Sequence, residues 1–355
     1  MSRLGVPYQG SKNFIAQQIV EFLPRAGTFV DLFAGGCAVT HAAMLSGKFS
    51  NFIANDLQGD GVELFQKAIN GEFANETRWI SREDFFRLKE SDAYVSLCWS
   101  FGNNRSDYLY AKEVEPWKKA LRYARVFGDF SLLREMGIES DGSSVDIKKN
   151  MAEYKAKYIA YFTANYTVTK QSAVKLENLQ ENTLRQLQSL QSLQSLQSLE
   201  RLQSLERLQR LPSLERLQRL QSLESLQRLQ SLSRLPQLKR LSISKLDYRA
   251  VDIPENSCVY CDPPYKGTNV CGYKKQGEFS TEDLLDWAAA KNEPVFISEY
   301  NISDDRFECA REMQKRETLS TQNGTKNKTS ERIYVQKRFA CEFEPSGGQI
   351  SIFGD

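Results

Sequence analysis

Ser257-Cys258-Val259-Tyr260-Cys261-Asp262-Pro263-Pro264-Tyr265-Lys266-Gly267 constrains the fold more than any other stretch of the chain. The Val/Tyr/Cys run reads as a buried β-strand. Two successive prolines can neither donate to a ladder nor continue a helix, so the strand must end at them. Its polar groups therefore collect at the C-terminal end, which in open α/β sheets is the edge where ligands bind. There Asp262 offers a carboxylate, Pro263 a carbonyl of fixed approach and Tyr265 a flat face for a heterocycle. The turn is expected to be an active site.

The rest of the chain supplies partners for such a strand. Thr28 to Leu32 reads as a strand, followed by a tight turn on Gly35-Gly36 and then a helix. Small residues there let the backbone approach a nucleoside, although the Gly-x-Gly-x-x-Gly of dinucleotide enzymes is absent. The next strand, Phe49 to Ala54, ends in Asn55-Asp56. Asp56 follows the glycines by about 20 residues and is placed either to accept from ribose hydroxyls or to serve as an ordinary Asx-turn residue. Leu246-Asp247-Tyr248 resembles a further strand end, and Pro294 to Tyr300 and Arg332 to Phe339 read as late strands, with Asn323 to Glu331 as a polar loop. Helices are expected over Asn13 to Leu23, with Phe14, Ile15, Ile19, Phe22 and Leu23 sharing a face. Others follow over Gly61 to Asn70, Trp79 to Lys89, Glu115 to Arg125 and, from a Ser280 cap, to about Lys291. Strands alternating with helices give an α/β sheet whose loops converge on one edge. The loop Gly5 to Lys12 either holds an anion near a helix start or is a plain N-terminal turn.

The inventory excludes several chemistries. One histidine, His41, does not equip a Ser-His-Asp, Cys-His or multi-His metal site. Seven scattered cysteines suit reduced thiols, and Cys258-x-x-Cys261 lies inside a strand with no second pair, so no metal is expected. The N-terminus lacks an apolar signal core and no stretch could span a bilayer, which gives a cytoplasmic expectation with no membrane partner. A net charge of +2 means that any nucleic-acid affinity must come from local patches.

Such a patch is expected from residue 95 onward, where Cys98 to Tyr110 is aromatic and amide-rich and a basic helix follows. Asn103, Asn104, Arg105, Lys118, Lys119 and Arg122 are the candidate nucleic-acid contacts, with a solvated helix as the plain alternative for the basic segment. Met151 to Tyr166 carries aromatics at helical spacing. From Leu184 to Leu241 every third residue is leucine, 20 in all. A step of three turns an α-helix by about 300°, so such leucines drift around the axis rather than forming one stripe. Short helices broken at Pro212 and Pro236, or a stacked solenoid, are the two candidate forms. A spacer or partner-binding surface is the expected role. The resulting division is 1–94 and 242–355 for the two parts of a catalytic domain, 95–180 for target recognition and 181–241 for the repeat.

Gly10-Ser11-Lys12, Asp31-Leu32-Phe33-Ala34-Gly35-Gly36, Asn55-Asp56 and Asp262-Pro263-Pro264-Tyr265 occur in the order found in Dam-like DNA adenine-N6 methyltransferases (the D12 class), which the chain resembles over about two thirds of its length. Ile297 to Tyr300 and Glu331 to Tyr334 resemble later segments of that group. The resemblance implies a Rossmann-like S-adenosylmethionine-dependent sheet carrying a mostly helical target-recognition insertion, with the leucine repeat as a departure. It implies double-stranded DNA as partner, S-adenosylmethionine as cofactor, a prokaryotic or phage origin with nucleoid association, and either a restriction endonuclease or a repeat-bound protein as a further partner. Asp262, Pro263, Pro264 and Tyr265 would be catalytic. Tyr8, Gly10, Lys12 and Asp262 would line the cofactor and target pocket, Asp31, Phe33 and Gly35 the methionine end, Asp56 the ribose, and Asp247 and Tyr248 the adenine end. RNA or cytosine-N4 methylation, and a non-catalytic binding role for the repeat, remain as alternatives.

Overall fold

Short runs of wholly buried residues build the centre of the sheet. The computed structural model describes residues 3–112, 114–138, 221–233, 240–264, 279–315 and 329–340. Among them β1 (Thr28–Asp31), β2 (Asn51–Asn55), β3 (Leu241–Ser244), β4 (Ser257–Cys261), β5 (Val295–Glu299), β6 (Phe307–Lys315) and β7 (Thr329–Gln336) form one sheet in the order β3-β2-β1-β4-β5-β7-β6. The first five strands run parallel, whereas β7 is antiparallel to both β5 and β6. Every residue of β1, β4 and β5 is buried. Parallel strands covered on both faces require that continuity. Helix Thr281–Ala289 contributes Leu284, Leu285 and Ala288 to the same core as Val30, Val259 and Ile297.

From β1 the chain steps outward to β2 and β3, then returns to β4 on the other side of β1. That reversal leaves a crevice beyond the carboxyl ends of β1 and β4, the ligand position of doubly wound sheets. Asp31 ends β1, and Asp262 follows β4 directly.

The chain divides into two units. The first holds Met1–Glu76, Ile80–Tyr108 and Ser225–Asp355; the second holds Thr77–Trp79 and Leu109–Glu224. Within the second, helix Glu115–Phe127 and the short helix Ser131–Glu135 enclose Trp117, Leu121, Leu133 and Met136.

Some elements differ from expectation. The first helix is Ala16–Phe22, and Phe14 is 63% exposed rather than part of its buried face. Helix Ala93–Cys98 and strand β6 had no clear sequence signal, since β6 carries charges along most of its length. Glu331 lies within β7 rather than in a loop. Of the leucine repeat, Gln221–Leu232 is α-helical. Leu226, Leu229 and Leu232 are all buried. A drift of about 60° per step spreads three leucines over only about 120°, still one face, so a single helix accommodates this much of the pattern. The remainder of the repeat, like Met151 to Tyr166, lies outside the described residues.

Candidate active site

Backbone geometry at the end of β1 sets the site. Ala34 N–H donates to Asn55 O at 2.9 Å and Gly35 N–H donates to Asp56 Oδ2 at 3.0 Å, which fastens the glycine turn to the end of β2. A Cβ on Gly36 would sit 2.6 Å from Tyr8 Cβ, and one on Gly61 would overlap the Gly35 carbonyl. The small residues thus let three chain segments meet without side chains between them. Asn55 completes the junction. Its amide donates to Leu32 O and Leu246 O, both at 3.0 Å, while its Oδ1 accepts from Ser244 Oγ at 2.7 Å and Leu246 N at 2.9 Å. All four hydrogen-bonding sites of this buried amide are therefore satisfied, tying together the ends of β1, β2 and β3.

Lys12 reaches this edge from the N-terminal loop. Its Nζ lies 2.7 Å from Asp262 Oδ1 and 3.3 Å from Glu331 Oε1, with Lys12 and Glu331 both buried. Burial alone would depress the lysine, but the two carboxylates outweigh it and hold its pKa above the ordinary value. Nearby, Tyr260 and Ser298 hydroxyls are 2.7 Å apart. Glu299 is buried and shifted upward, first by desolvation and then by the charges of Asp262 and Glu331.

A cavity of about 370 Å³ opens beside the Lys12–Asp262 pair. It is lined by Tyr8, Gly10, Lys12, Asp31, Phe33, Gly35, Asp56, Asp247, Tyr248, Asp262 and Pro264, among others. The structure thus brings together the residues proposed for the cofactor, although they come from five separate segments. One wall is aromatic: the Phe33 ring lies 5.4 Å from Tyr248 and 5.8 Å from Phe279. Phe279 is an addition that sequence reasoning missed. Asp31 accepts from Thr40 Oγ1 at 2.7 Å through Oδ2, whereas its buried Oδ1 has no partner among the described residues. Burial raises the Asp31 pKa to about 7, with Asp262 and Asp56 adding to the rise and Thr40 opposing it. Asp56 already accepts from Gly35, Gln58 and Gly59 N–H, so its turn role is real, yet it still lines the cavity. Asp247 sits at the rim in a bidentate pair with Arg249. Tyr265 lies outside the described residues.

The proposed nucleic-acid contacts are placed differently. Asn103 donates to Leu97 O, and Asn104 organises its own turn through Ser106, Asp107 and the Asp107 carboxylate. Arg105 is buried, hydrogen-bonds Gln58 and stacks its guanidinium 4.9 Å from the Tyr8 ring centroid, which makes it a support of the cavity wall. Arg122 is completely enclosed and donates to Thr77 O and Arg78 O. Lys118 is buried as well. A phosphate contact needs solvent-facing charge, so Arg105, Lys118 and Arg122 do not serve as drawn from the sequence. Of the three candidate cations on helix Glu115–Phe127 only Lys119 is half-exposed, while the helix's fourth cation, Arg125, is exposed. Cys37, Cys258 and Cys261 are buried thiols, whereas Cys309 on β6 is exposed, and no cluster of metal-ligating side chains occurs among the described residues.

With this geometry in hand, comparison with protein families is decisive. A model of D12 class N6 adenine-specific DNA methyltransferases matches residues 8–190, just over half of the chain. The chain belongs to that family. It is therefore an adenine-specific DNA methyltransferase with the Rossmann-like sheet described above. No curated protein matches the chain in a sequence search. The matched span includes Lys12, Asp31, Gly35 and Asp56 of this methyltransferase but stops short of Asp262. The ion pair from Lys12 and the parallel pairing of β4 with β1 are what carry Asp262 into the same site. Among the described residues no helix is long and apolar enough to cross a membrane.

Proposed function

We propose that the cavity binds S-adenosylmethionine and that Asp262, with the Pro263 carbonyl, holds the amino group of a target adenine turned out of the DNA duplex. The single observation that carries this reading is the Lys12–Asp262 contact of 2.7 Å at the mouth of a cavity that Asp31, Gly35 and Asp56 also line. The residues fit such a cofactor. The volume falls in the range of about 300–1,000 Å³ usual for small-molecule sites. The unpartnered Asp31 Oδ1 suits an amino group, the aromatic wall of Phe33, Tyr248 and Phe279 suits a purine, and Asp56 suits a ribose. When bound, the cofactor supplies an electrophilic sulfonium methyl group.

The protein's share of the reaction is orientation. Adenine N6 is a weak nucleophile because its lone pair is delocalised into the ring. Acceptors at the Asp262 carboxylate and Pro263 carbonyl would take the two amino hydrogens and turn the nitrogen toward tetrahedral geometry. The Lys12 ammonium favours the charged carboxylate, the form that accepts. Extrusion of the base is required because an amino group inside a duplex is out of reach. Sequencing DNA from an expressing host with modification-sensitive reads tests the assignment. N6-methyladenine at a defined site is expected with the native chain and none with Asp262→Ala; methylation persisting in the variant rejects the role of Asp262.

A further inference from the structure

We infer that Arg105 is a positioning residue for the cofactor: it braces Tyr8 and Gln58 in the cavity wall, which makes cofactor affinity depend on closure of the segment 101–108 that carries it. This rests on the reading of the cavity given above. An arginine in an aromatic, amide-rich stretch suggests a phosphate contact, but the fold turns this one inward, and it is buried. Its guanidinium carbon lies 4.9 Å from the Tyr8 ring centroid and Nη1 donates to Gln58 Oε1. Its Nε is 3.7 Å from Asp60 Oδ2, at the start of helix Asp60–Ile69. Tyr8 and Gln58 both line the cavity.

Each of these contacts continues into the proposed cofactor site. The Tyr8 ring also rests on glycines: a Cβ on Gly35 would sit 3.0 Å from its Cε1, and one on Gly61 would sit 3.1 Å from its Cε2. Glycines permit that close approach but do not keep a ring from sliding, whereas a guanidinium held near the ring attracts it, the more so away from water. Gln58 leads to the ribose end. Its backbone N–H and that of Gly59 donate to Asp56 Oδ1 at 3.0 and 3.4 Å, so a bond to the Gln58 side chain steadies the same turn.

The segment that delivers Arg105 is held by modest means. Gly102, Asn103 and Arg105 all have left-handed backbone, with φ of 60°, 59° and 63°, a conformation that costs the two non-glycine residues energy. Phe101 is 65% exposed. Phe101 N–H donates to Asp107 O at 2.8 Å, and Arg105 N–H donates to Ser100 Oγ at 3.1 Å, which itself donates to Ser96 O at 2.6 Å. Strained, partly exposed segments of this kind open locally at less cost than the core. Opening withdraws Arg105 from Tyr8 and Gln58 together. By linkage, a closed segment that favours the cofactor must in turn be favoured by bound cofactor, by the same factor.

Backbone hydrogen exchange with and without saturating S-adenosylmethionine, paired with calorimetric titration of the full chain, tests this. In the native protein the cofactor is expected to slow exchange of the Phe101 and Arg105 amides by about tenfold, within the usual range of coupling between sites. Arg105→Met should weaken cofactor binding by about tenfold and abolish that slowing, while the slowing at the Gly35 amide, which donates to Asp56, persists. A role in folding alone predicts instead faster exchange throughout the variant with its cofactor-dependent slowing intact. The affinity losses of Arg105→Met and Tyr8→Leu should be clearly less than additive in the double variant, since one acts through the other. Arg105→Lys, which keeps the charge without the planar fork, should weaken binding several-fold, and it supplies the same readouts if Arg105→Met does not fold. Native amides at Phe101 and Arg105 that ignore bound cofactor, or an Arg105→Met chain that binds it within twofold of native, overturn the inference. A native chain that takes up no S-adenosylmethionine overturns the reading of the cavity as well, so the two failures are told apart.

Discussion

Lys12 and Arg228 are both cations drawn into the first unit, yet their surroundings are opposite in kind. Lys12 meets the carboxylates of Asp262 and Glu331, and its pKa is held up against the cost of burial. Arg228, from the helical end of the leucine repeat, donates to the carbonyls of Leu4 and Gly5, and burial together with Arg3 pushes it down to about 10. Gly5 N–H in turn donates to Nδ1 of His41 at 3.0 Å, and burial followed by the charge of Arg228 lowers that histidine to about 4. A cation facing carboxylates is part of a charged cluster at the candidate active site. One facing carbonyls is a clamp, here on the strand of backbone that leads to Tyr8 and Lys12. The only histidine is thus a neutral acceptor in the scaffold, and the last turns of the repeat are a structural part of the unit that bears the active site.

The contrast can be broken at either end. Lys12→Met should cut the methylation rate by about 100-fold, the scale of a lost electrostatic contact to the reacting groups. It should also lower stability at neutral pH, because two carboxylates lose their cation. Rates within a few-fold of native would erase the distinction. Arg228→Met should instead cost about 2–3 kcal/mol of unfolding free energy, as expected for charge-assisted hydrogen bonds, and leave the rate of the folded protein within a few-fold. Chemical denaturation and single-turnover assays on the same preparations separate the two.

A smaller effect comes from Asp31. Its native pKa of about 7 exceeds the ordinary 3.8, so between those values the folded chain holds a proton that the unfolded chain has released. Stability of the unliganded protein should therefore fall as pH rises from about 4 to about 7, and Asp31→Asn should flatten that slope. Cofactor affinity should run the other way, rising several-fold between pH 6 and 8 as the carboxylate ionises; these windows follow from the Asp31 value of about 7. Calorimetric titration with S-adenosylmethionine checks this, and an affinity flat with pH would count against contact with Asp31.

Much of the central sheet was legible because its signal is local. The runs Thr28–Asp31, Ser257–Cys261 and Val295–Glu299 are buried throughout, and the prolines after Cys261 announce the end of β4. Asp262 could be singled out for the same reason. Glu331 could not: it ends a polar stretch that reads as a loop, and its burial is created by pairing with β5 and β6 and by a lysine near the other end of the chain. Arg122 was misplaced for a similar cause. Its helix looks basic and solvated, but carbonyls at Thr77 and Arg78 draw the guanidinium inward. Partners distant in sequence decide whether a charged side chain is surface or core, and composition does not record them.

The most direct test of Asp262 combines binding with chemistry. Asp262→Ala should retain S-adenosylmethionine affinity within about tenfold, since Asp31, Asp56 and the aromatic wall remain, while single-turnover methylation of adenine in duplex DNA falls by more than about 100-fold. A variant that binds the cofactor and still methylates within tenfold of the native rate would contradict the account.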